Sequence, residues 1–276
     1  MADRPKLRVF VATKGHAFAR DAFEAMLRAV DCDPTFVDQP AAAALMNPNG
    51  LRDHDALLLH DMWGLDFRAP IEERPGHVAP DPAFVAGFEA LVASGKGIVA
   101  IHHALAGWPA WPRYAELIGG SFRYKAVESS VASGFAGDIS YDVAPVDPDH
   151  PVVAGLAPRF TLTDEPYRHG IATRAVLPLL RIETAIEDSR FQSAESAVRR
   201  QMQPADWTPP PATGIAAWAA AADASPLVYI QPGDGPQTFA DPNYRRLVGN
   251  ALRWVTTAEA RAWVAACSNR SANQDA

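Results

Sequence analysis

The sequence predicts an α/β protein whose mostly parallel sheet is covered by helices on both faces, and three observations carry that prediction. Short apolar, β-branched runs at residues 7–12, 35–38, 55–60 and 98–101 alternate with segments of helical period. The run Asp55-Ala-Leu-Leu-Leu-His60 is apolar on both faces, as an interior parallel strand should be. No internal repeat or linker breaks the chain. Residues 1–267 therefore read as one elaborated domain, followed by a polar tail at 268–276 that is expected to fray.

Taken in order, Leu7-Arg-Val-Phe-Val-Ala12 is the first strand and Thr13-Lys-Gly-His16 the turn after it. Over residues 18–30, Phe18, Ala22, Ala25, Met26 and Ala29 fall on one helical face. A brief strand at 35–38 and a short helix at 41–46 follow, closed by Asn47-Pro-Asn-Gly50. Residues 61–80 form a long loop interrupted by Pro and Gly, a length often tied to function. Asp81-Pro82 opens the next helix, where proline's missing N–H does no harm, and Gly95 suits its left-handed cap. The strand at 98–101 ends in His102-His103. Beyond a helix at 108–118, strands are expected at 121–124, 138–143, 160–162 and 177–182, then an irregular excursion at 183–213. Strands at 215–218 and 227–230 and helices at 244–255 and 258–266 complete the chain.

Composition narrows the function. Of 276 residues, 48% are hydrophobic and 21% charged, as in an average soluble globular protein. A net charge of −7 without basic blocks argues against nucleic acid or an anionic membrane surface as partner. No apolar run is long enough to span a bilayer, and the charged start lacks a signal-peptide core, so a cytoplasmic protein is expected. Cys32 and Cys267 are too few and too distant for a disulfide framework or a cysteine metal site.

Open parallel sheets bind ligands at the carboxyl ends of their strands. That rule selects His16 after the first strand, His60-Asp61-Met62-Trp63 after the third, and His102-His103 after the fourth. His16 and His102 read equally well as functional groups and as hydrogen-bonded structural histidines. His103 should point away from its neighbour under strand alternation, which makes it structural. His60 is expected to pack, and Asp61 also fits a turn cap. A second concentration lies at Asp147-Pro-Asp-His150-Pro151 and Asp164-Glu165-Pro-Tyr167-Arg-His169. Paired carboxylates beside Tyr and His suit acid–base chemistry, although spacing alone favours a turn cap and a salt-bridged Glu. No Gly-x-Ser/Cys-x-Gly elbow, glycine-rich phosphate cradle, His-Glu-x-x-His or cysteine cluster is present. No cofactor is therefore expected. The alternative is a single divalent metal near His16 and His102, completed by a distant carboxylate.

Several segments together resemble the ThuA-like (trehalose utilisation) family of the class I glutamine amidotransferase-like superfamily. They are Ser94-Gly-Lys-Gly-Ile-Val-Ala-Ile-His102, Trp111-Pro-Arg-Tyr-Ala-Glu-Leu-Ile-Gly-Gly-Ser-Phe122, His150-Pro-Val-Val-Ala-Gly-Leu156, Thr163-Asp-Glu-Pro-Tyr167, Pro226-Leu-Val-Tyr229 and Tyr244-Arg-Arg-Leu-Val-Gly-Asn-Ala-Leu-Arg-Trp254. The resemblance runs from about residue 7 to residue 255. It implies a flavodoxin-like core and a link to carbohydrate catabolism, including sugars oxidised at a ring carbon. His16, His102, His150-Pro151, Asp164, Glu165 and Tyr167 match family positions. The family's Gly-His before the final helices is missing, because this stretch begins Gly233-Asp234-Gly235. A contribution from that loop is thus in doubt.

The expected function is acid–base chemistry on a sugar or keto-sugar, giving isomerisation or elimination. His102 is the expected base or ligand, Glu165 or Asp164 its partner acid, and His16 a further catalytic group. Asp61, Trp63, His150 and Tyr167 are expected to contact a small-molecule carbohydrate. The competing reading is a non-catalytic carbohydrate-binding or regulatory module on the same scaffold. The missing nucleophile favours the module; the clustered histidines and carboxylates favour the enzyme.

Overall fold

The computed structural model describes residues 6–127, 130–172 and 175–274; residues 1–5 of the charged start lie outside them. Among the described residues the main sheet has nine strands: β1 (Leu7–Lys14), β2 (Cys32–Asp38), β3 (Ala56–Asp61), β4 (Gly97–Ile101), β5 (Ile139–Pro145), β6 (Phe160–Asp164), β7 (Val176–Ile182), β8 (Ile215–Ala222) and β9 (Ser225–Ile230). Their spatial order is β6-β5-β7-β8-β9-β4-β3-β1-β2. Every pairing from β2 through β1, β3 and β4 to β9 is parallel, and every pairing from β9 outward through β8, β7, β5 and β6 is antiparallel. The parallel half explains the apolar runs of the sequence, and it sets the carboxyl ends of β1, β3, β4 and β9 side by side.

Side-chain alternation divides the interior into two layers. Val9, Val11 and Leu58 join one, with Phe23 and Met26 of α1 (Arg20–Ala29). Phe10, Leu57 and Leu59 join the other, with α2 (Ala41–Leu45), α3 (Pro82–Ala93) and α4 (Pro112–Ile118). The remaining helices are α5 (Ala194–Arg199), α6 (Pro236–Ala240), α7 (Pro242–Trp254) and α8 (Ala258–Gln274). Leu247, Val248 and Leu252 of α7 pack into the first layer.

Several boundaries differ from expectation. The helix expected at 108–118 starts only at Pro112, because residues His102–Ala106 form a tight 3₁₀ turn first. The strand expected at 121–124 shrinks to Gly120–Ser121, paired with Gly170–Ile171. The excursion at 183–213 contains α5, which is capped by Ser193 Oγ accepting from the Ser196 N–H. The polar tail expected from residue 268 continues α8 to Gln274, with Ser268 Oγ donating to the Val264 carbonyl; residues 275–276 lie outside the described residues. Once nucleated, a helix gains one bond per added residue, so polar residues can extend it. No described helix is long and apolar enough to cross a membrane.

Candidate metal and acid–base site

Two glycines shape the turns that deliver the site. Gly15 (φ +101°) leaves β1 so close to β3's exit that a Cβ would lie 1.8 Å from the Met62 carbonyl oxygen. Gly233 (φ +140°) follows β9, where a Cβ would lie 2.5 Å from both Ile101 Cγ2 and Tyr244 Oη. Only glycine fits both places. His16 and Asp234 come immediately after them. Between these turns β4 ends, and His102 takes a left-handed φ of +50°. A non-glycine residue in that region is strained by about 1–3 kcal/mol, so its surroundings must hold it. They do: Tyr229 Oη donates to the His102 carbonyl at 2.9 Å, and His102 Nδ1–H donates to the Gln231 carbonyl at 2.7 Å.

His102 is fully buried. Its Nε2 lies 2.7 Å from the Tyr167 hydroxyl, with the two rings stacked, and 3.5 Å from both Glu165 Oε2 and Asp234 Oδ1. Burial works against a charge on the ring, but the Asp234 and Glu165 carboxylates, with Asp164 behind them, outweigh it and push the pKa up to about 10. The imidazolium in turn lowers the Asp234 carboxyl. Tyr167 is half-buried, and desolvation of its hydroxyl holds its pKa well above the ordinary value. This group can hold a proton among carboxylates.

A second group lies beside it. His103 Nε2–H donates to the His60 carbonyl at 3.1 Å, which fixes the tautomer and leaves Nδ1 as a bare lone pair. That Nδ1 is buried without a partner, and so is Nδ1 of His16. The two ring centroids lie 4.8 Å apart with the planes tilted by 36°. Ligand atoms of His16, His103 and Asp234 lie within 4.8 Å of one another, as do those of His102, Glu165 and Asp234. Burial keeps His103 neutral, as a ligand must be. An imidazole oriented through its other ring nitrogen is the usual support for a metal-ligating histidine. The expectation of a cofactor-free site is therefore corrected: the fold assembles two donor sets for a divalent cation. They share Asp234, and they recruit His103 together with His16. In the second set the Tyr167 hydroxyl already occupies His102 Nε2; in the first each histidine has a buried Nδ1 without a partner.

The structure sorts the remaining expected residues. Glu165 and Tyr167 meet His102. Asp164 is fully buried, and its carboxylate accepts from the backbone N–H groups of Gly233, Asp234 and Glu165. Through these bonds it positions the Asp234 loop beside His102. Asp61 sits one residue from His60 and faces the opposite side of the sheet, where its carboxylate accepts from Gln39 Nε2 at 2.7 Å. Burial raises its pKa to about 6. Trp63 packs on the second apolar layer, and its carbonyl accepts from the Trp108 N–H. His150 caps the turn at Pro151–Val153 through Nδ1, and its ring packs on Trp254. Trp254 is ten residues, or about 15 Å of helix, from Tyr244, whose hydroxyl reaches the Gly233 turn at Pro232. The structure thus gives His150 a capping role, with its ring at the Trp254 end of α7.

His103 and Asp234 are the residues that sequence reasoning missed. Alternation mispredicted His103 because the chain leaves extended geometry at His102. The signal for Asp234 was present: Gly-Asp directly follows a strand, and strand ends are where ligands bind. The loop lacking the family's Gly-His does reach the site, with aspartate after its glycine. Cys32 is buried at the start of β2 and Cys267 lies in α8, so neither stands at the turn after β4.

A mixed, mostly parallel-cored sheet between helical layers is a flavodoxin-like, class I glutamine amidotransferase-like fold, and a histidine with positive φ stands at the turn after β4. The model of the trehalose utilisation (ThuA) family matches residues 7–255, and the chain belongs to that family. It is similar to a ThuA-like protein from Bacteroides uniformis (TM-score 0.61, 17% identity, 92% of this chain and 93% of that chain covered). A second similar structure is a ThuA-like protein from Parabacteroides merdae (TM-score 0.64, 13% identity, 91% and 90% covered). The likeness extends to PurLQS from Thermotoga maritima (TM-score 0.51, 13% identity, 90% and 99% covered). No curated protein matches the chain.

Proposed function

We propose that this chain binds a carbohydrate through a divalent cation held by His16, His103 and Asp234. The observation that carries the reading is the clustering of ligand atoms of His16, His103 and Asp234 within 4.8 Å, where each histidine keeps a buried ring nitrogen without a partner. A nitrogen–oxygen donor set of this kind suits Zn²⁺ or a similar first-row cation. Three protein ligands leave coordination positions open, and sugar hydroxyl or carbonyl oxygens would complete the shell. The family match supports a carbohydrate as ligand. The test is calorimetric titration of mono- and disaccharides into cation-loaded and chelator-stripped protein. Saturable binding that requires the cation, and that is lost in His103→Ala, supports the reading. Sugar binding unchanged by stripping sinks it.

A catalytic reading rests on a different observation, the contact of His102 Nε2 with Tyr167, Glu165 and Asp234. A proton holder beside a cation would permit proton transfer next to a polarised sugar carbonyl. Solvent deuterium appearing at a sugar carbon in NMR, and absent with His102→Gln, would support turnover. Binding without any exchange leaves the non-catalytic module.

A further inference from the structure

We infer that the cavity between the turn after β4 and residues 121–127 is a separate binding site, one that takes a flat aromatic ring carrying a carboxylate. The cavity has a volume of about 390 Å³, within the usual range for small-molecule pockets. Its walls come from the 105–112 segment, from residues 121–127, and from Leu65 and His77, which pair across a hairpin in the 61–80 loop. No residue of either cation donor set lines it.

The walls are aromatic and held in place. Trp108 stacks on Phe84 with ring centroids 4.3 Å apart, and Trp111 meets Phe84 and Phe88 edge-on at 5.8 and 5.9 Å. From the other segment Tyr124 meets Phe67 and Phe122 edge-on. Trp108, Trp111, Phe122 and Tyr124 all line the cavity. Side chains fixed by such contacts lose little freedom when a ring binds, which favours a flat apolar ligand. The Tyr124 hydroxyl already donates to Met62 Sδ at 3.5 Å, so this wall offers little to a ligand covered in hydroxyls.

The uncompensated charge in the lining is of one sign. Arg123 and Lys125 both line the cavity, and among the described residues neither has an ion-pair partner. Arg123 gives one guanidinium nitrogen to Ser130 Oγ at 2.9 Å and keeps its other donors. Desolvation and the Lys125 charge lower the His77 pKa, so His77 stands neutral near a cation. The acidic side chain of the lining, Glu116, pairs with Arg113 at 3.0 Å. In a chain of net charge −7, two unpaired cations around an aromatic cavity are complementary to an anion. A carboxylate on the edge of a ring meets both features at once.

The experiment is calorimetric titration of 2-naphthoate into the full, chelator-stripped chain, so that coordination to a cation contributes nothing. The uncharged counterpart is 2-naphthamide, and acetate is the carboxylate without a ring. The expected result is one saturable naphthoate site, with naphthamide and acetate each weaker by roughly tenfold or more. Lys125→Met keeps the apolar stem but removes the charge, and should weaken naphthoate by roughly tenfold while leaving naphthamide and the melting temperature unchanged. Ala115→Trp fills the cavity from a half-buried position on α4 and should abolish binding. The inference is overturned if naphthoate does not bind up to roughly 10 mM, a concentration that would fill even a millimolar site. Equal affinity for naphthoate and naphthamide, or in wild type and Lys125→Met, would overturn it too, because the cations would then recognise nothing. A folded Ala115→Trp that still binds naphthoate would place the ligand elsewhere and overturn it as well. Displacement of naphthoate by D-glucose also overturns it, since the cavity would then belong to a carbohydrate site.

Discussion

Asp164 holds Gly233: one carboxylate oxygen accepts the Gly233 N–H at 2.9 Å, across 69 residues of sequence and from the edge strand β6 to the loop after the central strand β9. Through this bond the end of β6 fixes the loop that carries Asp234 into the histidine cluster. The buried Asp164 carboxyl is raised by desolvation, against which the His102 charge and the N–H donors act. The site is therefore built as much by its supports as by the groups that would touch a ligand.

Gly233→Ala tests that support directly. The new Cβ would meet Ile101 Cγ2 and Tyr244 Oη at 2.5 Å, in a backbone conformation that alanine avoids. We expect a stability loss of about 2–4 kcal/mol in urea titration and reduced cation content. A wild-type melting curve with full cation content would show that the loop has another conformation.

His102→Ala should also destabilise, by about 2–4 kcal/mol, because the side chain is fully buried and hydrogen-bonded at both nitrogens. A strand-end histidine reaching into open solvent would cost far less. Denaturation of His102→Ala beside His102→Gln separates packing from chemistry: the glutamine variant should recover part of the stability and none of any turnover.

Asp61 has a pH signature of its own. Its folded pKa of about 6 lies above the ordinary 3.8, so the protonated form favours the fold. That contribution is fully present below about pH 3.8 and is lost as pH rises through about 6, a change of about 3 kcal/mol. Asp61→Asn should accordingly gain about 1–3 kcal/mol at pH 7.5 and nothing at pH 4. Equal effects at both pH values in urea titrations would mean that Asp61 is not the buried, raised carboxyl described.

His150→Ala should lose about 1 kcal/mol, as expected when a side chain that caps a turn and packs on Trp254 is removed. Cation content and sugar affinity should match the wild type. A selective loss of sugar affinity in calorimetry would return His150 to the ligand.

By itself the sequence determined the parallel half of the sheet, because interior strands such as residues 56–61 must be apolar on both faces, and that pattern is local. It determined the family through ordered segments, and it marked His16, His102, Glu165 and Tyr167 through strand ends and paired polar residues. The partners of those residues were settled only by the tertiary structure. His103 joins the cluster because the chain turns at His102 with φ +50°, a local strain stabilised by Tyr229 and Gln231 from a distant strand. Asp234 joins because β9 inserts beside β4 in parallel, and Asp164 then holds its loop from the far edge of the sheet. Asp61 and His150 were equally polar in sequence, and only the fold showed that one meets Gln39 and the other caps a turn beside Trp254. Ligand geometry depends on contacts between residues far apart in the chain, and a local pattern holds no record of which strand ends the fold will bring together.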